Sequence, residues 1–382
     1  PHALYKGGHG VEVLNQLGIR YTGAQASYEG SWVMRGLEKF RMPGTPEAIM
    51  TTQMWSDDAK REALSLMGQL RSDYPSSDWN SASLRKWLDT QVQHVDVRAY
   101  FEGLFRLATY CNDTHLQSAG AAFEQLAIAG AGVDYIDHGW QTLVNQLVEA
   151  ARFAGVRIEA RSAVEEIQCD GKSARIHLAN GELRHVRTII STVSPSVIAR
   201  LVNGGTVPVL QRWAEDASPI HAACLDVALK SLPRPEYQFA IGLDRPLYYS
   251  VHSRSAKLAP ENGALIQLAK YLPSDSTQSA ADLGKELEAL MDDLQPGWRD
   301  VLLSKRLLPR MLVSNAVVSA KRGGMDGRPG PVVAGVRNLF IAGDWVGPEG
   351  MLVDASLASA REAARIALRH LGVSKDNLAE AY

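Results

Sequence analysis

Cysteine, charge excess, long apolar runs and a phosphate-cradling glycine loop are all scarce or missing in this sequence, and each absence removes a class of protein. Three cysteines in 382 residues, Cys111, Cys169 and Cys224, are odd in number and widely spaced. That argues against a disulfide framework and for a reducing, cytoplasmic setting in which each is a small buried residue. Forty Lys and Arg balance 42 Asp and Glu, for a net charge of −2, so there is no field to attract nucleic acid. No apolar run approaches bilayer length, the N-terminus has no signal-peptide pattern and the tail after His370 is polar, which speaks against a stable membrane anchor. The histidines and cysteines show neither His-Glu-x-x-His nor clustered spacing, so no metal is expected. The strand–Gly-x-Gly-x-x-Gly–helix fingerprint is also missing. Gly7-Gly8-His9-Gly10 misses its spacing and follows no β-rich run.

What the chain does hold is enough apolar matter, 46%, for two cores. Val11–Leu17 reads as a short helix, and residues from about Thr45 to Ser72 and from Ser81 to Tyr110 as amphipathic helices. They are separated by the break Pro75-Ser76-Ser77-Asp78, with Ser81 or Ser83 as N-cap. Ala222–Lys230, Gln238–Leu243, Tyr248–His252 and Ala264–Tyr271 alternate as strands before a helix over Ala280–Leu294. Tyr135 to Trp140 precedes a helix with Leu143, Leu147, Ala151 and Ala154 on one face. Val156–Ile158, Val164–Ile167, Arg175–Leu178 and Thr188–Thr192 then read as short strands, with turns at Asp170-Gly171 and Asn180-Gly181. There is no internal repeat and no low-complexity segment.

The most informative stretch is Val336 to Ala355, followed by an Ala-rich helix. It reads as strand, glycine turn, acid, glycine loop, helix. A strand ending at Gly343 lets backbone approach a ligand closely, and Asp344 beside it can accept hydroxyl hydrogen bonds. The loop Gly347 to Gly350 leads into a helix whose first free N–H groups, near Leu352 and Val353, favour negative charge or an electron-rich oxygen such as a flavin pyrimidine carbonyl. On residue type alone the segment also reads as an ordinary βα unit.

The small residues from Asp354 to Leu368 allow tight packing on a sheet, and with them this segment closely resembles the C-terminal FAD-binding motif of the superfamily of flavin-containing amine oxidases, protoporphyrinogen oxidases and phytoene desaturases. The segment from Tyr135 to the strand ending Thr192-Val193-Ser194-Pro195 resembles that family's middle FAD segment. The resemblance implies an α/β fold. A Rossmann-like FAD-binding domain of the glutathione-reductase type (131–205 and 330–374) would be interleaved with an α+β substrate domain of antiparallel sheet plus helical cap (1–130 and 206–329). It implies FAD as cofactor, touched by Gly343, Asp344, Trp345, Gly350, Met351, Leu352 and Val353, with Val164 near the adenine and Gly139 at the helix opening. Ala355, Ala360 and His138 stand where the family has glycine. Pro1-His2-Ala3-Leu4-Tyr5 resembles sequence that follows the family's dinucleotide-binding unit, so roughly fifty residues of a complete enzyme are expected before it. That unit would come from a separate N-terminal fragment or a longer chain, and a homodimer stays open.

Outside these segments the chemistry is thin. Tyr248 and His252 share a strand face and could line a substrate cavity or pack in a core, and Lys270 could approach a flavin or lie in solvent. Lys321 to Gly330 reads as a flexible basic loop that borders the cofactor or turns at the surface. The reading that follows is an FAD-dependent oxidoreductase taking a hydride from a C–H bond of a small organic substrate, by amine oxidation or by desaturation. The competing reading is a degenerate flavoprotein scaffold or partner subunit without catalysis. Substrate identity and electron acceptor stay open.

Overall fold

Residues 2–27, 30–71 and 76–373 are described by the computed structural model; Pro1, Pro75 of the expected break and the tail beyond 373 lie outside the described residues. Alternating side chains build the largest sheet. Strands Leu302–Ser314, Ile220–Leu229, Ala264–Leu272, Leu247–Val251, Phe239–Gly242, Ser31–Arg35 and Glu38–Arg41 lie side by side in that order. All neighbours are antiparallel except Phe239–Gly242 and Ser31–Arg35. The period of two sends Ala223, Leu225, Val227, Tyr249, Ile266 and Leu268 to one face, under Leu283, Leu287 and Leu290 of the helix Ala280–Leu294. It sends Ala222, Cys224, Tyr248, Ala269 and Tyr271 to the other, toward Leu107 and Tyr110.

A helical layer, Asp57–Arg71, Leu84–Gln91, Val95–Thr109 and Ala119–Gly130, buries Trp87, Tyr100, Phe101, Phe105 and Phe123 together. Trp87 meets Phe105 and Phe123 edge-on at 5.8 and 4.9 Å, the orientation that ring quadrupoles favour. The two long helices expected from the sequence are each split. Helices Pro46–Thr51 and Asp57–Arg71 replace the first. In the second, Ser83 caps Leu84–Gln91 by accepting from the Lys86 N–H. A new helix then starts after His94 because the Glu62 carboxylate takes the Gln93 and His94 N–H groups at 2.5 and 2.9 Å. That contact comes from a remote residue, so local periodicity does not reveal the break.

The remaining layers carry the segments singled out in the sequence. Val164–Cys169, Ala174–Leu178 and Leu183–Val186 form a meander. Its turns place Gly171 and Gly181 at φ of +85° and +83°, which glycine adopts without strain. Leu339–Ile341 pairs in parallel with Ile189–Ser191, and the helix Leu352–His370 packs on this pair through Ala363 and Ala367 against Phe340. Leu4–Tyr5 and Gly23–Gln25 flank Val133–Ile136 in a third small sheet.

One expected strand is missing, and two elements appear that the sequence did not show. Val156–Ile158 forms no strand; no described neighbour pairs with it, and a lone extended segment gains no ladder bonds. Leu302–Ser314, unread in the sequence, is a thirteen-residue strand. Pro309 and its charged residues signal against a central strand but suit an edge. Ala119–Gly130, also unread, is a helix whose apolar residues cover nearly every face, so no amphipathic period marks it. Among the described residues no helix is long and apolar enough to cross a membrane.

Candidate cofactor cleft and active site

The strand–turn–helix expected at the C-terminal end forms, and its parts converge. The final strand Leu339–Ile341 is fully buried and the helix begins at Leu352. Between them the Ser359 hydroxyl accepts the Gly343 N–H at 2.9 Å and lies 3.1 Å from the Gly343 carbonyl. This ties the turn to the helix two turns further on. Gly343 has φ +151°, and a side chain there would meet the Trp345 indole at about 3.1 Å. Trp345 is thus one reason why this position holds glycine. Trp345 itself is buried, packs edge-on against Trp213 and donates its indole N–H to the Val193 carbonyl. It belongs to the core.

Asp344, Met351 and Leu352 line one narrow cleft with Thr109, Cys111 and Gln117. Its free volume is about 10 Å³, the space of roughly one water molecule. Gly350 at φ +64° and Leu352 at +55° turn the chain sharply into the helix. Such a conformation costs a branched residue of order 1–3 kcal/mol and persists only where the surroundings enforce it. Asp354 and Ala355 N–H groups bond back to the Met351 carbonyl, while the Leu352 and Val353 amides have no acceptor among the described residues, as helix geometry dictates. Two such free donors are the kind of group that an electron-rich oxygen accepts from.

The acid has protein partners that the sequence did not show. Asp344 accepts from both the main-chain N–H and the side-chain amide of Asn315, each at 2.7 Å. It is thus already engaged by protein, one bond on each oxygen, leaving only further lone pairs for a hydroxyl. Arg328 is a second residue that the sequence did not assign. Its guanidinium donates to the Asp344 carbonyl at 3.2 Å and the Gly350 carbonyl at 2.7 Å, closing the loop between them like a strap. Burial draws its pKa down to about 10. The expected flexible loop is instead folded as two short 3₁₀ turns, Ala320–Arg322 and Gly324–Gly327.

Asp354 was also missed. Fully buried in the first turn of the C-terminal helix, it accepts the Gly10 N–H at 2.7 Å. Side chains at Gly8 or Gly10 would lie 2.2 and 2.7 Å from its carboxylate. Gly7-Gly8-His9-Gly10 thus opens the helix His9–Gln16 around a protein carboxylate, which accounts for Gly8 and Gly10 without a phosphate. Gly139 sits at φ +88° and His138 at +62°, so the histidine holds a left-handed backbone that favours glycine. Its N–H and the Asp137 carboxylate hold the Lys257 main chain. Val164, at the start of the meander, is 37% exposed, away from this cleft.

Beyond the cleft the inner face of the large sheet forms an aromatic wall. Tyr110 packs with both Cys111 and Tyr271 and so links the two. Tyr248 and His252 meet there as their spacing predicts: Tyr248 Oη lies 3.0 Å from His252 Nε2, and Tyr135 stacks on His252 at 3.9 Å while reaching Ser250 at 3.2 Å. Burial holds the His252 imidazole well below its usual pKa and the Tyr248 phenol well above. The Tyr271 hydroxyl is buried with no partner. Burial likewise pushes the Cys111 thiol up to about 12 and Cys224 to about 11, so both are inert thiols. Lys270 faces the opposite way. It pairs with Glu286 of the covering helix, which separates it from the tyrosine wall by the thickness of the sheet.

The family of flavin-containing amine oxidoreductases matches residues 35–224. No curated protein sequence matches the chain. Among solved structures, a triple mutant of putrescine oxidase superposes with a TM-score of 0.72 at 14% identity, covering 94% of this chain and 85% of that one. An oxidoreductase from Methanosarcina mazei gives 0.72 at 15%, covering 95% and 87%. Cyclohexylamine oxidase from Brevibacterium oxydans IH-35A gives 0.66 at 12%, covering 97% and 87%. These likenesses carry the fold, and the sequence match over residues 35–224 adds the family. Together they place the chain among the flavin-containing amine oxidoreductases, a family of FAD-dependent enzymes.

Proposed function

We propose that the protein removes a hydride from a C–H bond of a small organic substrate, with FAD as acceptor, by amine oxidation or desaturation. The observation that carries this reading is the family match over residues 35–224, together with the cleft that Asp344, Met351 and Leu352 share at the start of the C-terminal helix. When bound, FAD would supply the redox chemistry. The chain's own part is to bind, orient and exclude water. The Leu352 and Val353 N–H groups hold an electron-rich oxygen, the Arg328 strap fixes the loop that presents them, and Tyr110, Tyr248 and Tyr271 wall the substrate side. That wall is built from Ala222, Cys224, Tyr248, Ala269 and Tyr271, which favours a substrate with an apolar body. Residues 131–205 and 330–374 would form the FAD domain and the rest the substrate domain. The exposed apolar side chains Val144, Phe153, Val156, Ile158 and Ile190 support cover by a further polypeptide segment or a second copy.

The test is anaerobic bleaching of bound flavin by a panel of primary amines, diamines and polyenes. Bleaching by one class assigns the reaction, and a flavin that none of them reduces overturns it. A scaffold that binds no FAD is favoured by one observation, the engagement of Asp344 by Asn315. Purified protein that takes up no FAD on titration would decide for it.

A further inference from the structure

A second, roomier cavity shares no lining residue with the narrow cleft. Its free volume is about 470 Å³, space for a whole small molecule. One side is the strand Gly23–Gln25. A side chain at Gly23 would meet the Tyr135 carbonyl at 2.1 Å, so the strand passes there only as glycine. The Asp137 N–H bonds the Thr22 carbonyl and the Ala26 N–H bonds the Val133 carbonyl. By that alternation Gly23 turns its own N–H and carbonyl away from the sheet, on its open edge. The other side is the loop 253–263, which is pinned. The Ser253 hydroxyl accepts the Leu265 N–H at 2.9 Å, Asp137 accepts the Lys257 N–H at 2.8 Å, and the Lys257 carbonyl accepts the His138 N–H at 3.0 Å. A rim already held in place loses little freedom when a ligand binds.

Two cations stand on this rim. Arg254 and Lys257 line the cavity and are exposed, and among the described residues the Arg254 guanidinium has neither a hydrogen bond nor an ion pair. Its planar fork matches a carboxylate two bonds at a time. Asp137 and Glu261 line the same space, so the formal charges balance, two against two. That balance suits a ligand with one negative charge and opposes a phosphate or a dicarboxylate. We propose that this cavity binds a small monocarboxylate, with Arg254 as its anchor and Lys257 beside it. The strand Val133–Ile136 runs directly into Asp137, and Leu247–Val251 runs through His252 into Ser253, so the rim adjoins the Tyr135–His252 stack. The carboxylate is therefore the far end of the substrate or a free acid held beside it. This goes beyond the redox reading and needs no FAD.

The test is a ligand-observed NMR titration of the purified protein with butanoate and with butanamide, its uncharged counterpart. Wild type is expected to bind butanoate about fivefold more tightly, the upper end of what an exposed charge pair contributes. In Arg254→Met, which keeps an unbranched side chain and removes the charge, the two affinities should agree within about twofold. Arg254 is exposed, so its replacement spares the fold, and the ratio is internal to each variant. Equal affinities in wild type, a preference that survives in Arg254→Met, or tighter binding of inorganic phosphate than of butanoate overturns the proposal. A second measurement separates the two sources, and either result supports the site. Butanoate that raises the KM of the substrate found by flavin bleaching, in wild type and not in Arg254→Met, marks the carboxylate as the substrate's own end. Butanoate that binds without competing marks a free acid. The titration does not depend on flavin, so a protein that takes up no FAD would end the redox reading and leave this result standing.

Discussion

Asn315 holds both carboxylate oxygens of Asp344, one through its main-chain N–H and one through its side-chain amide, each at 2.7 Å. The acid is thereby oriented by a residue 29 positions earlier, and its place at the cleft depends on that partner. Asp344→Ala should lower FAD content in purified protein and destabilise the fold, each lost charge-assisted bond being worth about 1.5–3 kcal/mol. Asn315→Ala, which removes only the side-chain bond, should do less of both. Flavin-to-protein absorbance ratios and urea unfolding test this. Unchanged flavin content in Asp344→Ala would remove the acid from the site.

The tie between Gly343 and Ser359 predicts a purely structural effect. Ser359→Ala leaves the Gly343 N–H without its acceptor, a loss of about 1–3 kcal/mol for a buried group. Gly343→Ala forces a methyl group toward the Trp345 indole and should also weaken FAD uptake, because the turn must shift. Thermal unfolding with and without added FAD separates the two.

Acid should destabilise the protein through His252. Burial depresses its folded-state pKa below the ordinary 6.5, so the unfolded chain takes up a proton first as pH falls. The stability it contributes is full above about 6.5 and is lost as pH drops from there toward and through the depressed folded value. Asp354, whose pKa burial raises, acts oppositely but from a starting value of 3.8, lower on the scale. Chemical denaturation across pH 5 to 8 should therefore show a falling midpoint below 6.5 that flattens in His252→Phe. A parallel slope in that variant would assign the loss elsewhere.

Lys270 and Tyr271, adjacent in sequence, should part company in function. Lys270→Met breaks a largely buried pair with Glu286 under the covering helix and should cost roughly 3–5 kcal/mol, since Glu286 is left without its partner, with no change in the rate of flavin reduction. Tyr271→Phe removes a hydroxyl that has no protein partner and should leave stability unchanged or slightly raised while slowing substrate-driven flavin reduction. Equal rates in both variants would place the substrate away from this wall.

What was legible in the sequence follows a physical line. The helix Ala280–Leu294 and the meander turns at Gly171 and Gly181 were readable, because period and turn chemistry are local. So was the helix start at Leu352, since a glycine loop before an Ala-rich run announces it. The split at His94 was not, nor was the strap of Arg328 across the loop 344–350, nor Asn315 on Asp344. Each is a polar contact between residues distant in the chain, chosen by packing and leaving no periodic trace. Arg254 could have been found by one signal, two cations among small residues just after an apolar strand, though its lack of a partner among the described residues needs coordinates.

The bond from Gly10 to Asp354 spans 344 positions, so it closes nearly the longest loop this chain can make. Contacts of such separation form only after the intervening layers have docked, since chain entropy opposes them until then. The donor-bearing start of the C-terminal helix thus gains its last support at the end of folding. In hydrogen exchange its first turn should open well before the sheet beneath it, which would make cofactor capture a final act of assembly.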